Sequence, residues 1–116
     1  MSVTTFRPAT KELVSHSFNF GDAPQTIWTM PTGGRVIEAS VTIRTPFDAA
    51  GATIKVGTAA DDDGIIAAGD NVPTMAGEYD VAPDFDVSQS TAIRLTVTPD
   101  GASAGAGVVT LTIAYN

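Results

Sequence analysis

Apolar and polar residues alternate with a period of two along most of this chain. Over 35–45, Ile37, Ala39, Val41 and Ile43 share one face while Glu38, Ser40, Thr42 and Arg44 share the other. That pattern predicts a half-buried antiparallel strand, apolar inside and polar outside. Val14, His16, Phe18 and Phe20 alternate with Leu13, Ser15, Ser17 and Asn19 in the same way. A short strand over 25–30 contains Trp28 and stops at Pro31, and another spans 53–57 with Ile54 and Val56 inward. Ile93, Leu95 and Val97 alternate with Arg94, Thr96 and Thr98, as do Val109, Leu111, Ile113 and Tyr115 with Thr110, Thr112 and Ala114. These last two strands, joined through Pro99-Asp100-Gly101 and a Gly/Ala-rich run, read as a hairpin with a longer than minimal loop.

Turn clusters punctuate the strands: Gly21-Asp22-Ala23-Pro24, Pro31-Thr32-Gly33-Gly34 and Pro46-Phe47-Asp48. Residues 59–73 are the least strand-like and predict one helical turn with Ile65 and Ile66 tucked beneath it. A short strand over 78–81 and a loop over 83–87 follow. The first twelve residues have no period and contain Pro8. The chain therefore divides into an N-terminal arm or edge strand (1–12) and one sandwich domain (13–116). The fold class is all-β: an antiparallel β-sandwich, jelly-roll-like, of seven or eight short strands. The expected core comprises Ile37, Val41, Ile43, Ile54, Val56, Ile93, Leu95, Val97, Val109, Leu111 and Ile113.

A chain of 116 residues can bury roughly two-thirds of its unfolded surface, enough for one core. It has no cysteine, so no disulfide supplements that core. No apolar run reaches the length of a membrane helix, and the stretch MSVTTFRPATKEL carries neither the basic region nor the apolar core of a secretion signal. No membrane partner is expected. The net charge of −7 disfavours nucleic acid as a partner, since phosphate contacts need clustered Lys and Arg. Between Lys55 and Arg94 there is no basic residue, whereas Asp61, Asp62, Asp63, Asp70, Glu78, Asp80, Asp84 and Asp86 all fall there. A solvated acidic surface is preferred for this run over a cation site.

Candidate chemistry is sparse. His16 is the single histidine, too few for the several-histidine metal site of a cupin-type jelly roll. Ser15 and Ser17 lie on the strand face opposite His16, which defeats a Ser-His-Asp arrangement. Asp61-Asp62-Asp63 beside Gly64 is the best metal candidate, yet it lacks EF-hand spacing, and adjacent residues rarely all point inward. Trp28, Tyr79 and Tyr115 are too few to favour a sugar-stacking platform over packing roles. No catalytic residue, metal or cofactor is expected, and the chain reads as a non-enzyme.

Six stretches carry a resemblance: Phe18-Asn19-Phe20, Met30-Pro31-Thr32-Gly33-Gly34, the run from Val41 to Asp48, the run from Val56 to Asp61, Gly77-Glu78-Tyr79, and the closing Val108–Asn116 strand. Together the chain resembles small structural proteins encoded among the virion genes of tailed phages and prophages. These include head decoration (cement) proteins, head-fibre bases and tail-associated modules. The resemblance implies a β-sandwich that oligomerises on a capsid lattice and no enzymatic residues. It implies a decoration protein on the capsid outer surface, made in the host cytoplasm, that bridges major capsid protein subunits. The alternative is a receptor- or carbohydrate-binding module of a phage tail or fibre. In this reading the arm, through Phe6, Arg7 and Lys11, contacts the capsid. His16, Phe18 and Trp28 are the expected oligomer-interface residues. The expected assembly is a homo-oligomer, with a trimer favoured on lattice geometry and a dimer possible.

Overall fold

Alternating residues with turn-forming punctuation fold as the pattern dictates. The computed structural model of the chain describes residues 10–87 and 89–115. Its strands are β1 (Thr10–Asn19), β2 (Gln25–Met30), β3 (Arg35–Thr45), β4 (Thr53–Gly57), β5 (Gly77–Val81), β6 (Phe85–Asp86), β7 (Thr91–Thr98) and β8 (Ala106–Tyr115). One sheet has the order β1-β8-β3-β5, with β6 also on β3; the other has the order β2-β7-β4. Every pairing between these strands is antiparallel. The fold is a single-domain β-sandwich. Strand pairing already starts at Thr10, so residues 10–12 form the first part of β1.

Register aligns the inward side chains of the larger sheet in rows. Val14, Leu111, Ala39 and Val81 form one row; His16, Val109, Val41 and Tyr79 form the next. These rows meet Met30, Ile54, Val56, Ile93, Leu95 and Val97 of the smaller sheet in one continuous core. All the core residues expected from the alternation are buried except Ile37. The β3–β8 register shifts between Val36 and Glu38, which is a β-bulge. The extra residue turns Val36 inward at 0% exposure and leaves Ile37 only half-buried. Val36→Ala should therefore cost about 2 kcal/mol, and Ile37→Ala clearly less. Denaturant unfolding of the two variants checks this, and equal losses would contradict the bulge.

The predicted hairpin of the last two strands does not form. β7 pairs with β2 and β4 in one sheet, and β8 pairs with β1 and β3 in the other. The connection after Thr98 crosses the end of the sandwich instead of reversing within a sheet. Asp48 fastens it there, accepting from the Ser103 amide (2.7 Å), the Ser103 hydroxyl (2.5 Å) and the Ala104 amide (3.3 Å). At Gly105 the backbone φ is +150°, and a β-carbon would lie 2.5 Å from the Phe47 ring. Glycine is required at that crossing.

The helical turn expected in 59–73 is a 3-10 turn, Ala68–Asp70. Ile65 and Ile66 are buried as expected. Ile66 bridges Val56, so this segment covers the outer edge of β4. Phe85 and Asp86, expected in a loop, pair with Val36 and Arg35 of β3.

Candidate interaction surfaces

His16 and Trp28 sit on the edge strands β1 and β2. Nε2 of His16 donates to Oε1 of Gln25 at 3.1 Å, which ties the two edges together along one flank of the sandwich. Both side chains are half-buried, and Trp28 packs against the core. Phe18 is different. It is 3% exposed and lies 6.5 Å from Phe47, ring centre to ring centre, inside its own domain. Little of the ring is therefore open to a neighbour. Phe6 and Arg7 lie outside the described residues. Lys11 lies in β1.

Ser15 and Ser17 face solvent, away from the core-facing His16, as the alternation requires. Ser15 Oγ and Thr110 Oγ1 are 3.4 Å apart across the β1–β8 pair. His16 is thus committed to Gln25, with no serine on its side of β1. Tyr79 donates its hydroxyl to the carbonyls of Val72 (3.2 Å) and Met75 (2.9 Å) and packs against the core. These bonds fix a loop whose tip exposes Met75 to 61%. Nothing in the strand pattern marked this tip, since it is built by a tyrosine reaching back four and seven residues.

The outer face of the larger sheet is polar and acidic. It carries a shallow hollow of about 560 Å³ lined by Leu13, Glu38, Ser40, Asp80, Thr110 and Thr112 among others. No aromatic residue lines it. Sugar stacking has no platform there.

The aspartate run forms a tight turn at the end of β4. The Thr58 amide donates to the Asp61 carbonyl (2.8 Å), and the Asp61 amide donates to the Thr58 carbonyl (3.2 Å) and hydroxyl (3.2 Å). Gly57 permits this, because a β-carbon there would lie 2.6 Å from the Asp62 carbonyl carbon. The carboxylates of Asp61, Asp62 and Asp63 converge within 4.8 Å of one another on the exposed surface. Lys55 Nζ contacts Asp62 Oδ2 at 3.1 Å. Among the described residues this is the one group of three or more acids, histidines or cysteines spaced to hold an ion.

Two carboxyls depart from ordinary behaviour in opposite directions. The Ser103 hydroxyl, then the Ser103 amide, hold Asp48 below its ordinary 3.8. A hydrogen bond shared with Asp61, then desolvation and the charges of Asp61 and Asp62, push Asp63 above 3.8, against the pull of Lys55. The linkage signs follow. Asp48 contributes stability that is present above 3.8 and is lost as pH falls through its lower, folded value. Asp63 disfavours the folded state above its raised value, and that penalty is relieved as pH falls through it. Carbon-detected NMR titration should place Asp63 above Asp48, and Asp63→Asn should not destabilise the fold at neutral pH. The reverse order of the two midpoints would contradict these contacts.

No protein-family model matches the chain, and no curated protein matches it. Solved structures do. A chain of the capsid asymmetric unit of cyanophage Pam1 matches with TM-score 0.70 and 16% identity, over 100% of this chain and 92% of that one. A chain of the acidic stable capsid structure of Helicobacter pylori bacteriophage KHP30 matches with TM-score 0.67 and 14% identity, over 90% of this chain and 86% of that one. A chain of the capsid of Ralstonia phage GP4 matches with TM-score 0.59 and 12% identity, over 99% and 90%. The architecture is not confined to capsids. A chain from the structure of Bacillus endospore appendages, described as a novel family of disulfide-linked pili, matches with TM-score 0.52 and 15% identity, over 100% and 96%. At these identities the likeness is one of fold.

Proposed function

We propose that this chain is a phage capsid decoration protein that binds the outer surface of the head and bridges major capsid protein subunits. The observation that carries this reading is the sandwich's likeness, over nearly its whole length, to chains in three phage capsid structures. The sequence resemblance to virion structural proteins points the same way. The chemistry agrees: the single histidine is tied to a glutamine, and the serines beside it face the other way. The role is structural, and no cofactor takes part.

The mechanism is multivalent. Residues 1–11, through Phe6, Arg7 and Lys11, dock on the shell, while the body packs against sister copies. Each copy makes a modest contact, and engaging several capsid subunits at once multiplies the effect. The acidic loops, with Asp61, Asp62 and Asp63 exposed, face solvent on the outside of the virion.

The runner-up, a receptor- or carbohydrate-binding module of a tail or fibre, would need exposed aromatics. Trp28 and Tyr79 both pack against the core instead. Co-sedimentation with emptied heads of the encoding phage, run beside a glycan array, separates the two readings. Head binding with a blank array supports decoration, and array binding without head binding supports the tail module.

A further inference from the structure

Sheet edges are templates for further pairing, and folded proteins blunt them. In this fold all but one described edge is blunted. β2 has six residues, carries a register shift between Thr26 and Trp28, and lies between Pro24 and Pro31. β4 is covered by the segment that bridges Val56 to Ile66. β5 and β6 have five and two residues and carry Glu78, Asp80 and Asp86. β1 has none of these devices. It runs for ten residues in unbroken register against β8, without proline or glycine, and stands last in its sheet. Its charged residues, Lys11 and Glu12, fall at its start. Leu13, on its outer face, is 68% exposed.

We propose that β1 is a self-association edge, pairing antiparallel with β1 of a second copy about a two-fold axis. Length selects this occupant. The other free edge of the same sheet offers only five and two residues, whereas a second β1 matches nine of the ten. Charge allows it, because the strand from Leu13 to Asn19 holds no acid or lysine or arginine to oppose its own copy. A two-fold axis normal to the sheet keeps inner faces together, so the core side of one sandwich continues into the next. Placed at Ser15, the axis pairs residues 11–19 of the two copies, setting Ser15 opposite Ser15 and Leu13 opposite Ser17 on the outer face. Lattice geometry favours a trimer, but the open edge favours a dimer, and the dimer is what we propose.

The free protein, without heads, tests this apart from the capsid reading. The chain has no cysteine, so single-cysteine variants report cleanly. Native mass spectrometry should give a dimer. Ser15→Cys should form a disulfide-linked dimer under mild oxidation, and the exposed Thr98→Cys on β7 should not. Amides of β1 should exchange more slowly as concentration rises. Ser15→Lys with Ser17→Lys places like charges on the paired strands and should weaken self-association about tenfold with the fold intact. A monomer at all concentrations overturns the proposal. So does a trimer, or a dimer in which Ser15→Cys does not crosslink and β1 exchanges as it does when dilute.

Discussion

Gly107→Ala is expected to destabilise the sandwich by about 3 kcal/mol, a large fraction of a domain's whole stability. Gly107 sits mid-sheet on β8, opposite Phe18 of β1 on one side and Ile43 of β3 on the other. A β-carbon there would collide with the Thr42 carbonyl oxygen and lie 2.8 Å from Cζ of Phe18. Backbone cannot yield as a side-chain tip can. The Phe18 ring is already closed in by the core and by Phe47. Overpacking of this kind forces off-rotamer side chains and backbone shifts. Gly69→Ala is the control, because nothing lies within 4 Å of the added carbon. Thermal unfolding of the pair should show a large drop for the first and almost none for the second. Equal melting temperatures would mean that Phe18 and the Thr42 carbonyl do not close over Gly107.

Removal of residues 1–9 is expected to lower head binding by about a hundredfold or more and to leave the sandwich folded. The cut stops at Ala9 because β1 pairs with β8 from Thr10 onward, and a deeper deletion would damage the sheet. The segment holds Phe6 and Arg7, and its positive charge is opposite to the net −7 of the chain. In a multivalent attachment, losing one anchor per copy multiplies across the copies. Circular dichroism and melting should be unchanged while co-sedimentation with expanded heads is lost. If the shortened protein saturates heads with unchanged affinity, the segment is not the anchor.

The strands were legible because side-chain alternation is a local consequence of burying one face. Arg35–Thr45, Gln25–Met30 and Thr53–Gly57 fall where the alternation and the turn residues place them. The bulge that exchanges Val36 for Ile37 was not legible, since no residue there is special to a bulge and the cause lies in pairing with β8. Nor was the partner of each strand. β7 and β8 look like a hairpin locally, and contacts 55 residues apart, such as Asp48 with Ser103, decide otherwise. Of the expected interface residues, alternation groups Phe18 with Val14, His16 and Phe20 on one face but does not say how deep each sits. The open edge of β1 emerges only once sheet order is known, because an edge is a property of the whole sheet.

The measurement closest to the central claim is binding of the purified protein to emptied heads of its own phage, followed by counting copies per shell. Decoration predicts saturable co-sedimentation at a fixed ratio to the major capsid protein, with density on the outer surface at subunit junctions in images of the heads. Protein left in the supernatant at every concentration, with heads of unchanged mass and appearance, would contradict it.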